Sequence, residues 1–160
     1  MALDIEKTLR ENQICFLFGH GDCPEALFPK IVTAVETLIT EHGCTNYCIG
    51  HRGDFDHLAT RAVIALKEKY PHLSVRRLIA YYNPHKSVYC PEGVDCTYFP
   101  PGMETVPKSI AIRVANESMI DDADFVICYV NHHFSNAHKA LEYAQRRKDL
   151  QIINLGTYNG

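Results

Sequence analysis

Cys48-Ile49-Gly50-His51-Arg52-Gly53-Asp54-Phe55-Asp56-His57-Leu58-Ala59 decides how the rest of the chain is read. Apolar residues at 47–49 stop at one glycine, a short polar turn carries a second, and apolar residues then recur at 55, 58, 59, 62, 63, 66 and 70. That pattern is a strand, a tight turn and an amphipathic helix running from 54 to 70, where Pro71 stops it. Gly50 and Gly53 let backbone N–H groups approach a ligand, and the start of a helix favours negative charge, so a phosphate fits the turn. Asp54 and Asp56 stand in the same turn, where their carboxylates could instead cap the helix.

The same grammar recurs on both sides. Residues 14–18, Ile-Cys-Phe-Leu-Phe, form an unbroken apolar run of the kind that a parallel strand buried on both faces shows. The run ends at Gly19-His20-Gly21-Asp22-Cys23-Pro24, where Pro24 suits the first turn of a helix and Asp22 is placed to cap it. Apolar residues at 27, 31, 34, 35, 38 and 39 keep helical spacing as far as Gly43, a C-cap. Downstream, strands are predicted at 74–81, 125–130 and 151–155, and helices at 109–121 and 137–148. Residues 82–108 are rich in Pro, Gly, Tyr and Cys and show no period; a loop of that length is commonly functional. Its Tyr82, Tyr89, Tyr98 and Phe99 could cover a planar ligand or anchor the loop to the domain.

Apolar strands alternating with helices predict an α/β fold: a single Rossmann-like domain at 13–160 behind an N-terminal arm at 1–12. The expected sheet is five-stranded and mainly parallel, of order 3-2-1-4-5, with helices on both faces. Ligands of such sheets bind beyond the carboxyl ends of the strands, where the strand order reverses. That rule gathers three turns, 19–22, 50–56 and 131–136, and with them the ligand candidates Gly19, His20, Gly21, Gly50, His51, Gly53, Asn131, Ser135 and Asn136.

Composition limits the alternatives. The chain has 160 residues, 46% of them hydrophobic and 22% charged, which is the make-up of an ordinary globular domain. A net charge of -3 without a Lys/Arg cluster argues against a nucleic-acid surface. The start of the chain is polar rather than signal-like and no apolar run has the length of a membrane span, so a cytoplasmic, membrane-free protein is expected. Cys15, Cys44, Cys48 and Cys128 fall in or beside predicted strands and read as buried thiols. Cys90 and Cys96 share a loop and could close a disulfide or help hold a metal, but neither belongs to a CxxC pair. His51, His57, His132, His133 and His138 form no HxxxH or HExxH pair, and no metal or cofactor is expected.

With these turns in view, the chain resembles the SLOG superfamily, the Rossmann-like group that includes YpsA-like, DprA and lonely-guy proteins. The resemblance runs from 14 to 155 and rests on Phe18-Gly19-His20; on Gly50 with Gly53, Phe55, Asp56 and Ala59; on Asn116 with Met119 and Asp121; and on Lys139-Ala140-Leu141-Glu142-Tyr143-Ala144. It implies a nucleotide or nucleotide-derived ligand, and it adds Asn116 to the ligand candidates. Family members commonly carry Gly-Gly, often followed by Thr, where this chain has Ser135-Asn136-Ala137. The lonely-guy branch hydrolyses cytokinin nucleotides with a glutamate where this chain has Ala140.

Two functions follow as expectations. One is a sensor or carrier that binds a nucleotide-derived small molecule through phosphate and ribose, in a domain expected to form homo-oligomers. The other is an enzyme acting at a nucleotide N-glycosidic bond, for which Asp56, with Asp22 across the switch point, would supply the catalytic carboxylates.

Overall fold

The computed structural model describes residues 13–81, 85–86 and 89–157; the arm expected at 1–12, Tyr82 and the last residues of the tail lie outside them. Each apolar run becomes a strand because its side chains are buried on both faces of one sheet. The strands are β1 (Ile14–Gly19), β2 (Asn46–Ile49), β3 (Ser74–Leu78), β4 (Cys96–Tyr98), β5 (Phe125–Tyr129) and β6 (Gln151–Asn154). They pair in parallel throughout, in the order β4-β3-β2-β1-β5-β6. Helices α1 (Phe28–His42) and α2 (Asp54–Lys69) pack on one face, and α3 (Ala111–Asp122) and α4 (Asn136–Gln145) on the other. The order reverses between β1 and β5, as expected for this architecture.

The sheet has six strands rather than the expected five. The additional strand, β4, lies inside the stretch read as a loop, at the sheet edge, where Cys96 and Thr97 are exposed and no apolar run marks it. Backbone and charge hold it there. Leu78 pairs with Tyr98, and Ile79 N–H donates to the Tyr98 carbonyl at 2.9 Å. Asp95 accepts from Val75 N–H at 2.8 Å and pairs with Lys67 of α2 at 2.8 Å. Of the loop aromatics, Tyr98 and Phe99 pack against the core beneath α3 and α4, so they anchor the segment, while Tyr89 is exposed.

Element boundaries shift for local reasons. α1 starts at Phe28 after a short turn at Glu25–Leu27, and neither start has a side-chain cap, so the expected capping by Asp22 does not occur. At the other end Gly43 adopts φ 69° and its N–H donates to the Ile39 carbonyl at 3.1 Å, the expected C-cap. Pro107 precedes a tight turn at Lys108–Ile110, which delays α3 to Ala111. Cys15, Cys44, Cys48 and Cys128 are buried free thiols, and Cys90 and Cys96 are free and exposed. Among the described residues no helix is long and apolar enough to cross a membrane.

Arg147 closes the layer that carries α3 and α4. Its Nη1 donates to the carbonyls of Ile120, at 2.5 Å, and Ala123, at 2.8 Å, at the C-terminal end of α3. Hydrogen bonds from a charged donor contribute about 1.5–3 kcal/mol each at most. Arg147→Ala is therefore expected to lower stability in urea by roughly 2–3 kcal/mol, with Arg147→Lys losing less. Equal losses for the two variants would show that the guanidinium fork is not what holds this end.

Candidate functional site

Two βα turns are locked together backbone to backbone. A Cβ on Gly53 would sit 2.6 Å from Gly21 Cα, and Asp54 N–H donates to the Gly21 carbonyl at 2.8 Å. A Cβ on Gly19 would meet the Phe55 ring at 2.5 Å, and one on Gly50 would meet Asp56 Oδ2 at 2.7 Å. Gly19 and Gly53 are required because atoms of the neighbouring turn occupy the space, and Gly50 because Asp56 of its own turn does.

The third turn, between β5 and α4, closes over them and leaves a cavity of about 240 Å³. Phe16, Phe18, Leu78, Ala80, Ile112 and Ala115 supply apolar wall. Gly19, His20, Gly21, Gly50, His51, Arg52, Gly53, Asp56, Asn116, Ser135 and Asn136 supply the rest, together with Ala137. Ten of the expected site residues thus meet in one place. Asp22 and Asn131 do not line it: both are exposed, and among the described residues Asp56 is the one carboxylate in the wall. The pair of carboxylates expected across the switch point is not assembled there.

Asn131 still acts on the site through its backbone. Its N–H donates to His20 Nε2 at 2.9 Å, so the proton of the neutral ring resides on Nδ1 and faces Ser135 Oγ at 3.3 Å. Ser135 caps α4 by accepting from His138 N–H at 3.0 Å. With two donors directed at its oxygen, the Ser135 hydroxyl proton is left for the cavity. His20 is 3% exposed and its imidazole is held below the ordinary histidine range, first by burial and then by the His132 ring stacked at 3.7 Å. His51 is half-buried and donates from Nδ1 to the Leu78 carbonyl at 3.1 Å; burial, aided by the Arg52 and Arg77 charges, lowers its pKa as well.

Asp56 occupies the first turn of α2 without acting as its N-cap, which is Gly53. Its Oδ2 reaches back to accept from Arg52 N–H at 3.0 Å, and burial pushes its pKa up to about 6 against the restraint of that bond and of His57, Arg77 and Arg52. The carboxyl therefore changes charge close to neutral pH while facing a cavity. The sequence reading missed Arg52, although it stands inside the stretch that was decisive; an isolated cation between two turn glycines was the available signal. The apolar wall residues had no signal, since each reads as ordinary core.

The fold and the cavity together define a Rossmann-like α/β protein with a cavity at the switch point of its sheet. Among solved structures, the X-ray structure of DNA processing protein A (DprA) from Streptococcus pneumoniae is similar, with a TM-score of 0.61 and 17% identity. The match covers 95% of this chain and 52% of that one, so the chain spans about half the length of that protein. The likeness is one of fold. No protein-family model and no curated protein matches the sequence.

The raised pKa of Asp56 sets a sign for stability against pH. The native state holds that proton more tightly than the unfolded chain, so stability falls as pH rises through the window from about 4 to about 6. Asp56→Asn keeps an acceptor for Arg52 N–H and removes the titration. Its stability relative to wild type, measured by urea unfolding, is expected to improve by on the order of 2 kcal/mol between pH 4 and pH 8. An unchanged difference across that range would contradict a buried, titrating carboxyl.

Proposed function

We propose that the protein binds a nucleotide or nucleotide-derived small molecule in this cavity, as a sensor or carrier. The observation that carries the reading is convergence: three separate βα turns and α3 deliver their polar groups to one apolar-walled pocket at the switch point, where Rossmann-like sheets take their ligands. Asn116, Asn136 and the free Ser135 proton suit the hydroxyl and carbonyl groups of a sugar and base. The apolar wall suits a planar base. A YpsA-like or lonely-guy-like place within the SLOG superfamily belongs to the same proposal, as does the nucleotide nature of the ligand. The DNA-processing role named for DprA is not adopted, because a net charge of -3 without a Lys/Arg cluster supplies no broad basic face.

One observation favours the enzymatic alternative. Asp56, with its pKa near 6, could act as a general acid or base at an N-glycosidic bond, stabilising positive charge that develops on the ribose. Against it stand Ala140, at the place of the lonely-guy glutamate, and the exposed position of Asp22.

Thermal unfolding of the purified protein in the presence of nucleotides and ribose phosphates tests the reading, because a ligand of the native state raises the melting temperature by mass action. At least one such compound is expected to raise it, and Ser135→Ala to diminish the rise. A compound recovered intact by chromatography supports the sensor or carrier; one recovered cleaved, with cleavage lost in Asp56→Asn, supports the enzyme. No shift with any of them would overturn the proposal.

A further inference from the structure

Two cations, Arg52 of the cavity wall and Lys108, meet at the ring of Tyr81, the residue after Ala80 of that wall. The Arg52 guanidinium lies 4.4 Å from the centroid of the Tyr81 ring, and Lys108 Nζ lies 4.6 Å from the same centroid. Each contact is a favourable cation–π pair, yet two like charges share one ring and repel each other. Such a cluster is ordinarily relieved by an acidic side chain. Among the described residues neither Arg52 nor Lys108 makes an ion pair with Asp or Glu. Arg77, 7% exposed, does not line the cavity and gives one N–H to the Tyr89 carbonyl at 2.6 Å. In a chain of net charge -3 the pairing of Arg52 with Lys108 is a local excess, not a general one.

The cavity itself offers little to an anion. Its imidazoles have lowered pKa values, and among the described residues its one carboxyl would repel a phosphate once ionised and Arg52 is the one Lys or Arg in its wall. Its volume of about 240 Å³ also lies below the roughly 300–1,000 Å³ of pockets that enclose a whole ligand, so part of a nucleotide must extend through the mouth. Tyr81 follows Ala80 of the wall, and Lys108 stands four residues before Ile112 of the wall, so both adjoin the cavity's apolar lining.

We infer that Arg52, Tyr81 and Lys108 form an anion clamp that takes the phosphate or pyrophosphate of a nucleoside phosphate whose base and sugar fill the cavity. The inference rests on the nucleotide reading given above and specifies its substrate class and orientation. Arg52 supplies a fork that matches two phosphate oxygens, Lys108 supplies a point charge, and Tyr81 holds both in place. The two charges lie no further apart than their summed distances to the ring centroid.

Calorimetric titration of the full chain with the four common ribonucleosides and their 5′-mono- and diphosphates tests the clamp, in wild type and in the double variant Arg52→Gln/Lys108→Gln. At least one phosphorylated form is expected to bind wild type about tenfold or more tighter than its nucleoside, with that advantage shrinking as salt rises. In the double variant the ratio of the two affinities is expected to fall towards one. A ratio that survives the double substitution would overturn the clamp while leaving the nucleotide site standing. If neither nucleosides nor nucleotides bind wild type, the nucleotide reading fails and the clamp with it. The circular dichroism and melting curve of the double variant, expected to match wild type, separate loss of the clamp from loss of the fold; a double variant that unfolds would show these side chains to be structural and contradict the proposal.

Discussion

Gly21 and Gly53 meet where two βα turns cross, with no room for a side chain between them and with the Asp54 N–H bonded to the Gly21 carbonyl at 2.8 Å. This close approach brings the ends of β1 and β2 to a common level and seats Phe55 on Gly19, so that α2 starts directly over the first turn. Everything that faces the cavity depends on that contact. His20 and Asp56 come from different turns, and they share a wall only because the backbones that carry them touch.

The third turn completes the site by hydrogen bonding rather than by packing. Asn131, His20 and Ser135 form a directed chain that ends on the cap of α4, and each link fixes the proton of the next. The result is a pocket whose two histidines have their pKa values lowered first by burial and then by neighbouring positive charge, with one carboxyl that titrates near neutral pH. Charge is displaced to the mouth, where Arg52 and Lys108 stand over Tyr81. An apolar, weakly charged interior with a cationic opening suits an amphiphilic ligand that carries its charge at one end.

Much of this was legible in the sequence. β1, β2 and β5 are nearly continuous apolar runs because both faces of a parallel sheet are covered, and the glycine turns after β1 and β2 marked the end of the sheet at which the cavity lies. The switch-point rule then placed ten candidates in a single cavity without any knowledge of contacts. β4 was illegible because an exposed edge strand of three residues is specified by its neighbours' backbone and by the Lys67–Asp95 pair, neither of which leaves a period. Asp22 and Asp56 looked alike, as acids at helix starts. Only the fold separates them, since Gly50 yields space for the Asp56 carboxyl while Asp22 faces outward. The cationic mouth was hidden because Arg52, Tyr81 and Lys108 lie far apart in the chain.

The central claim is that the interlocked turns form a ligand site rather than only a tight packing of strands and helices. Amide chemical-shift mapping by NMR, on adding a ribonucleoside monophosphate to the isotopically labelled protein, tests it most directly. The account predicts that shifts concentrate on Gly19, His20, Gly21, Gly50, Arg52, Gly53, Asn116 and Ser135. Shifts confined to the shallow groove beside Pro29, Thr33 and Leu155, or no shifts under saturating nucleotide, would contradict it.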